Sequence, residues 1–358
     1  MTTTRRQFIR QSAAASIGAL GALQGVKVTV EAAETGAAAP PLPIVDTHQH
    51  LWDLSKLQLP WLKPGTELCR SYLMEDYLAA TEGLGVAKAV YMEVAVAADE
   101  KLAEAELVIE ICRRKENPTV AAVIGGQPAD ARFRDYITRF KDSPFIKGVR
   151  QILPASKPGE GLYGEKEFVA GVRLLGELGM RFDLCLPPDR LPEAVRLVDA
   201  CPGTRFILDH CGNGDPKWYR RTAGEPAAAS ADRRRAREAW RADVAALAER
   251  KNVVGKISGI IVRAPKEDWK PDDLAPIVNQ CLEVFGPDRV MFASDWPVCT
   301  RVASLRQWVA ALEEITGDRP ESERRRLWHD NAVRFYELDC PEDQSPRSGG
   351  LAGGRDLG

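Results

Sequence analysis

Ile44-Val45-Asp46-Thr47-His48-Gln49-His50 is an apolar run that ends in two histidines. Side chains alternate along an extended segment, so His48 and His50, two apart, face the same side at the end of this strand. Seven more short runs rich in apolar and β-branched residues follow it, at 89–94, 120–124, 146–152, 181–186, 205–209, 253–258 and 290–294. Segments of helix length separate them, including 101–114 and 165–178, where leucine and valine recur at spacings of three and four. Strand and helix in alternation are the signature of a parallel sheet with crossover helices. Eight such units predict an α/β fold of the (β/α)8 TIM-barrel kind, one catalytic domain over 44–339, since a closed barrel needs about 250 residues. A doubly wound sheet is the alternative.

Connection lengths point the same way. The turns that enter strands are short and built from breakers, as in Gly83-Leu84-Gly85-Val86, Ser143-Pro144 and Gly286-Pro287-Asp288. The segments that leave strands are long: 51–73, 152–164, 211–232 and 259–271. Long loops on one face and tight turns on the other place the working face at the strands' C-terminal ends.

Three of the four histidines fall on that face. His210 follows the sixth run in Phe206-Ile207-Leu208-Asp209-His210, and Asp295 closes the eighth in Phe292-Ala293-Ser294-Asp295-Trp296-Pro297. Closing the barrel puts the eighth strand beside the first and brings Asp295 next to His48 and His50. Imidazoles and a carboxylate that converge in this way can hold a borderline metal such as Zn2+.

Composition bounds the partners. With 44% hydrophobic and 28% charged residues the chain can bury a sizeable core, and its net charge of −2 offers no footprint for nucleic acid or an anionic membrane. A small-molecule substrate is expected. The eight cysteines show no Cys-x-x-Cys spacing and are read mostly as buried thiols. Thr4-Arg5-Arg6-Gln7-Phe8-Ile9, ahead of the uncharged stretch from Ala13 to Leu23, reads as a twin-arginine export signal over 1–30, too short to span a bilayer. The Ala/Pro-rich stretch 31–43 reads as a flexible tether, 340–358 as a disordered tail, and the mature protein as periplasmic or otherwise exported, without a membrane span.

From Ile44 to Leu338 the chain resembles the amidohydrolase superfamily, in particular its amidohydrolase-2 branch with the sugar lactonases. The motifs that carry the resemblance are His48-Gln49-His50-Leu51-Trp52, Gly148-Val149-Arg150, Phe182-Asp183, Leu208-Asp209-His210, Lys256-Ile257-Ser258-Gly259, the run from Phe285 to Cys299, and Asn331-Ala332-Val333-Arg334-Phe335-Tyr336. Two-metal members carry lysine or glutamate at the end of strand four and histidine at the end of strand five. Here Arg150 and Gln151 end the fourth run and the fifth has no histidine. The resemblance therefore implies at most one zinc, on His48, His50 and Asp295 with His210 as ligand or catalytic imidazole, or a mechanism without metal.

The same resemblance implies hydrolysis of a lactone, with a decarboxylase or hydratase of aromatic or sugar acids as the rival and a non-catalytic periplasmic binding protein as the other class. Asp295 is the candidate general base, or a carboxylate that only orients His48 or His50. His210 would polarise the carbonyl. Arg150 is read as a fork for substrate or as half of an internal salt bridge, and Glu93 as a substrate or metal contact or as the partner of Arg150. Lys256 and Ser258 are candidates to line the pocket, Lys256 alternatively pairing with an acid. Trp52, Trp61 and Trp296 offer flat surface to a sugar-like ring, or pack in the core. His329 is read as structural and outside the barrel.

Overall fold

A computed structural model describes residues 42–153, 161–220 and 226–338. The expected export signal, nearly all of the tether and the C-terminal tail lie outside the described residues. Eight strands form one sheet in sequence order: β1 (Ile44–Gln49), β2 (Val86–Met92), β3 (Thr119–Gly125), β4 (Ile146–Arg150), β5 (Arg181–Leu184), β6 (Arg205–Leu208), β7 (Val253–Ile257) and β8 (Val290–Phe292). Every neighbouring pair is parallel. The seam from β8 back to β1 is made by Thr47 Oγ1 donating to the Phe292 carbonyl at 2.7 Å, a bridge between Gln49 and Trp296, and His50 N donating to the Trp296 carbonyl at 2.8 Å. The architecture is a (β/α)8 barrel, and the doubly wound alternative is excluded.

Each expected run overlaps its strand, with ends that differ for local reasons. β8 stops at Phe292 because the Ser294 amide donates to the Asp46 carboxylate instead of continuing the ladder. β2 begins at Val86, earlier than expected, because Val86 pairs with Ile44. The expected helices appear at Lys101–Arg113 and Lys166–Glu177. The long connection expected over 211–232 is shorter, since an Ala-rich helix already begins in Ala227–Glu249.

Strand parity sorts the apolar residues into two layers. Val45, Val90, Met92, Ala121, Val123, Ile207, Val254 and Met291 fill the barrel, closed below by Tyr336 and Leu338 at the end of the last helix, Asn331–Tyr336. Their alternates, such as Tyr91, Ile124, Phe182, Phe206 and Phe292, pack outward against the helices. Parallel strands buried on both faces read as near-continuous apolar runs, which is why they stood out in the sequence. The seven described cysteines are free thiols, six of them buried. Among the described residues no helix is long and apolar enough to cross a membrane.

Candidate active site

The mouth of the barrel is assembled around a fold in β1. The pairing of β1 with β2 is irregular between Asp46 and Gln49. Gln49, of the same parity as Val45, points inward and accepts from Thr119 Oγ1 at 2.8 Å, and across the irregularity His48, of the parity of Ile44, reaches the barrel axis as well. Asp46 holds this irregularity. Its Oδ1 accepts from His48 N at 3.1 Å and Ser294 N at 2.8 Å, and its Oδ2 from Tyr77 OH at 2.8 Å and Ser294 Oγ at 2.6 Å. One buried carboxylate thus ties the segment carrying His48 to the segment carrying Asp295.

Asp295 Oδ1 is the focus of the site. His50 Nε2 lies 3.4 Å from it, His48 Nε2 3.8 Å and His210 Nε2 4.0 Å. The outer nitrogens decide which atoms face inward. His50 Nδ1 meets the Met92 carbonyl at 2.9 Å, an acceptor, so Nδ1 carries the proton and Nε2 a lone pair. His48 Nε2 is 3.1 Å from Arg150 Nη1, which can only donate, while Nδ1 faces both the Asp209 carboxylate at 3.5 Å and the Lys256 ammonium at 3.4 Å. His210 Nδ1 is 3.0 Å from the Ser258 hydroxyl, which donates or accepts and so permits either tautomer. Burial lowers the pKa of His48 and of His210, outweighing Asp209 for the first and Asp295 for the second, and both rings are neutral near pH 7.

Beneath the mouth lies a charged layer that the sequence did not reveal as a unit. Lys256 Nζ is 2.7 Å from Asp183 Oδ2, 3.2 Å from Asp209 Oδ1 and 3.4 Å from His48 Nδ1. Burial opposes the ammonium charge, but Asp183 and Asp209 overcome it and raise its pKa. Burial likewise opposes the Asp209 carboxylate, yet Lys256 and His48 hold it well below the usual range. Arg150 donates through Nε to Glu93 Oε1 at 2.7 Å, through Nη2 to the Glu93 carbonyl at 2.8 Å and through Nη1 to Asp209 at 3.4 Å. On the far side of Glu93, Glu104 accepts from Tyr91 OH at 3.0 Å and Val94 N at 2.7 Å, and burial, reinforced by Glu93, raises its pKa to about 7.

Backbone strain gathers at the same place. His210, Cys211, Gly212 and Asn213 form a left-handed turn with φ of 55°, 51°, 61° and 56°, and Asp295 and Ala95 stand at 56° and 50°. Such conformations cost roughly 1–3 kcal/mol each in a residue with a side chain and persist only where their surroundings enforce them. Gly259, at φ 69°, lets the His210 ring lie against the β7 loop: a Cβ there would sit 2.4 Å from the ring.

Above these groups opens a cavity of about 680 Å3 whose floor includes His50, His210 and Asp295. Arg150, Glu93 and Trp52 touch it, and Trp61, 40% exposed, stands at its rim, edge-to-face on Trp52. Trp52 is otherwise buried and donates to the Arg70 carbonyl. Lys256 and Ser258 are fully buried and act through their partners rather than lining the cavity. Trp296 is buried against Tyr72 and Tyr77. His329 sits in the helical turn Arg326–Asp330 ahead of the last helix, where Nδ1 faces Asp330 at 2.8 Å. Burial pushes the thiol of Cys185, also on the cavity wall, up to about 12, which leaves it no nucleophile at neutral pH.

Sequence reasoning assigned no role to Asp46, Asp183 or Asp209, although each stood in a quoted motif. Strand parity was the available signal: Asp183 and Lys256 share the inward parity of Ile207 and Val254. Arg263 and Arg301, which line the cavity, carried no pattern.

Neutral imidazoles and a carboxylate at the C-terminal mouth of a parallel barrel, under a cavity of ligand size, define a barrel hydrolase. The chain belongs to the Amidohydrolase family, whose profile matches residues 45–338. It is 30% identical over 311 residues to an L-fucono-1,5-lactonase of Burkholderia multivorans, covering 84% of this chain and 97% of that protein. Two crystal structures of an amidohydrolase from Burkholderia multivorans share the fold at 24% identity, covering 83% of this chain and 100% of theirs. The one with bound HEPES superimposes with a TM-score of 0.72, the one with bound zinc with 0.69.

Proposed function

We propose that this hydrolase opens a sugar-acid lactone by attack of water, with Asp295 as general base. The observation that carries the reading is the placement of Asp295 Oδ1 on the cavity floor, 3.4 to 4.0 Å from three imidazole nitrogens. Asp295 takes one proton from a water while the water oxygen bonds to the lactone carbonyl carbon. With Ser258 donating to Nδ1, His210 carries its proton on Nε2 and donates it as a hydrogen bond to the carbonyl oxygen, where negative charge grows. The ring C–O bond then breaks, Asp295 returns its proton to the departing oxygen, and the product is a hydroxy acid that releases one proton at neutral pH. The lactonase likeness and the tryptophan edge formed by Trp52 and Trp61 support a ring-shaped sugar derivative.

The donor set also fits one zinc ion. Ligand atoms about 2.0–2.1 Å from a tetrahedral ion lie about 3.4 Å apart, close to the separations here, and neutral imidazoles are what such an ion requires. His48, His50 and Asp295 would hold it, His48 by exchanging its hydrogen bond with Arg150. When bound, it supplies Lewis acidity and acidifies a bound water.

The test is a panel of aldonolactones with wild type and Asp295→Asn. Wild type should turn over at least one, and the variant should lose about 10^2–10^4-fold in kcat at unchanged melting temperature. A variant as active as wild type removes Asp295 from the role of base; no turnover, with decarboxylation of an aromatic acid instead, overturns the lactonase reading. Metal analysis before and after chelation shows whether the donors hold zinc in the working enzyme.

A further inference from the structure

The geometry points to a substrate that carries an anionic group, a carboxylate held by Arg263 and Arg301, in addition to the lactone; this rests on the hydrolytic reading of the site. The loops after β7 and β8 each make one helical turn, Ile260–Arg263 and Val298–Arg301, and each turn ends in an arginine that lines the cavity. Among the described residues neither guanidinium has a carboxylate partner.

Among the described residues the acids lining the cavity are Glu93 and Asp295. Glu93 is spent on Arg150 at 2.7 Å, and Asp295 lies on the floor among the imidazoles. Arg150 in turn makes four hydrogen bonds, to Glu93, His48 and Asp209, and is 3% exposed, so it has no free fork to offer a substrate carboxylate. Among the described residues the outer wall therefore keeps two positive charges without counter-ions.

Arg263 is also aimed. Its Nη2 donates to Asn213 Oδ1 at 3.1 Å, and Asn213, fixed in the left-handed turn, donates through Nδ2 to the Leu186 carbonyl at 2.9 Å. A neutral amide positions the guanidinium without neutralising it. The half-buried fork is left to a ligand that brings the negative charge, and a planar carboxylate matches two of its N–H donors. An aldaric-acid monolactone has both features: an ester carbonyl for the floor and a carboxylate for the wall.

The experiment compares three lactones of one ring type: a neutral aldonolactone, the corresponding aldaric-acid monolactone and the phosphorylated aldonolactone. They are tested on wild type, Arg263→Met, Arg263→Lys and Arg301→Gln. The carboxylated lactone should have a kcat/KM at least about ten-fold above the neutral one. Each charge-removing variant should bring that ratio towards one, chiefly through KM, and Arg263→Lys should restore part of it. Arg301 is exposed, so its variant keeps the test alive should Arg263→Met fold poorly. Equal turnover of neutral and carboxylated lactones, with a ratio unmoved by the variants, overturns this inference and leaves the lactonase reading intact. Preference for the phosphorylated lactone overturns the carboxylate assignment. Turnover of none of the three overturns the lactone reading and this inference with it.

Discussion

His210 owes its position to a residue with no side chain. Gly259 combines a left-handed φ with a ring packed where its Cβ would be, so Gly259→Ala strains the backbone and displaces the imidazole together. We expect a stability loss of roughly 1–3 kcal/mol and a fall in kcat of about 10^2-fold, because reacting groups tolerate little misplacement. Calorimetry and steady-state kinetics check the pair; an unstrained, fully active variant would show that His210 is held by Ser258 alone. The tautomer of His50 follows the same residue-scale logic, since the Met92 carbonyl at Nδ1 leaves the ring one arrangement.

At the scale of elements, the decisive contact is the seam between the first and last strands. Asp46 accepts four hydrogen bonds there, two of them from the loop that carries Asp295. In Asp46→Asn one of the two acceptor atoms becomes a donor, leaving Tyr77 OH and Ser294 Oγ, or the two backbone amides, facing N–H groups in a buried site. The expected cost is about 1–3 kcal/mol in urea unfolding, with kcat reduced as Asp295 loses its support. Tyr77→Phe, which removes a single donor, should cost less; if both variants unfold at the wild-type midpoint, the seam does not depend on this carboxylate. The eight strands were legible because both of their faces are buried. The loops that hold Arg263 and Arg301 were not, because one-turn helices leave no period in the sequence.

Over the whole molecule, the charge buried under the mouth makes stability depend on pH. Glu104, with its pKa raised to about 7 by burial and Glu93, binds a proton in the native state that it has released in the unfolded chain between about pH 4.5 and 7. Its contribution is therefore present below that window and lost as pH rises through it. Glu104→Gln removes the dependence, so the stability of the variant relative to wild type should rise across the window, by roughly 3 kcal/mol. Comparing the two proteins cancels the opposite trend from His48 and His210, whose lowered pKa values cost stability as pH falls below the ordinary histidine range. A difference that stays constant from pH 4.5 to 7 would mean that Glu104 is ionised throughout.

The sequence by itself determined the barrel, its working face and the meeting of His48, His50, His210 and Asp295, because apolar periodicity and strand order are local and closure follows from their number. It left Arg150 open between substrate and salt bridge, and Lys256 between pocket and acid pairing. Only the tertiary structure decided what each charge faces: Lys256 turns down to Asp183 and Asp209, Arg150 is consumed by Glu93, and Arg263 and Arg301 are left facing the cavity. A charge takes its partner from whatever the closed barrel brings within a few ångströms, from strands and loops far apart in the chain, and no local pattern records that.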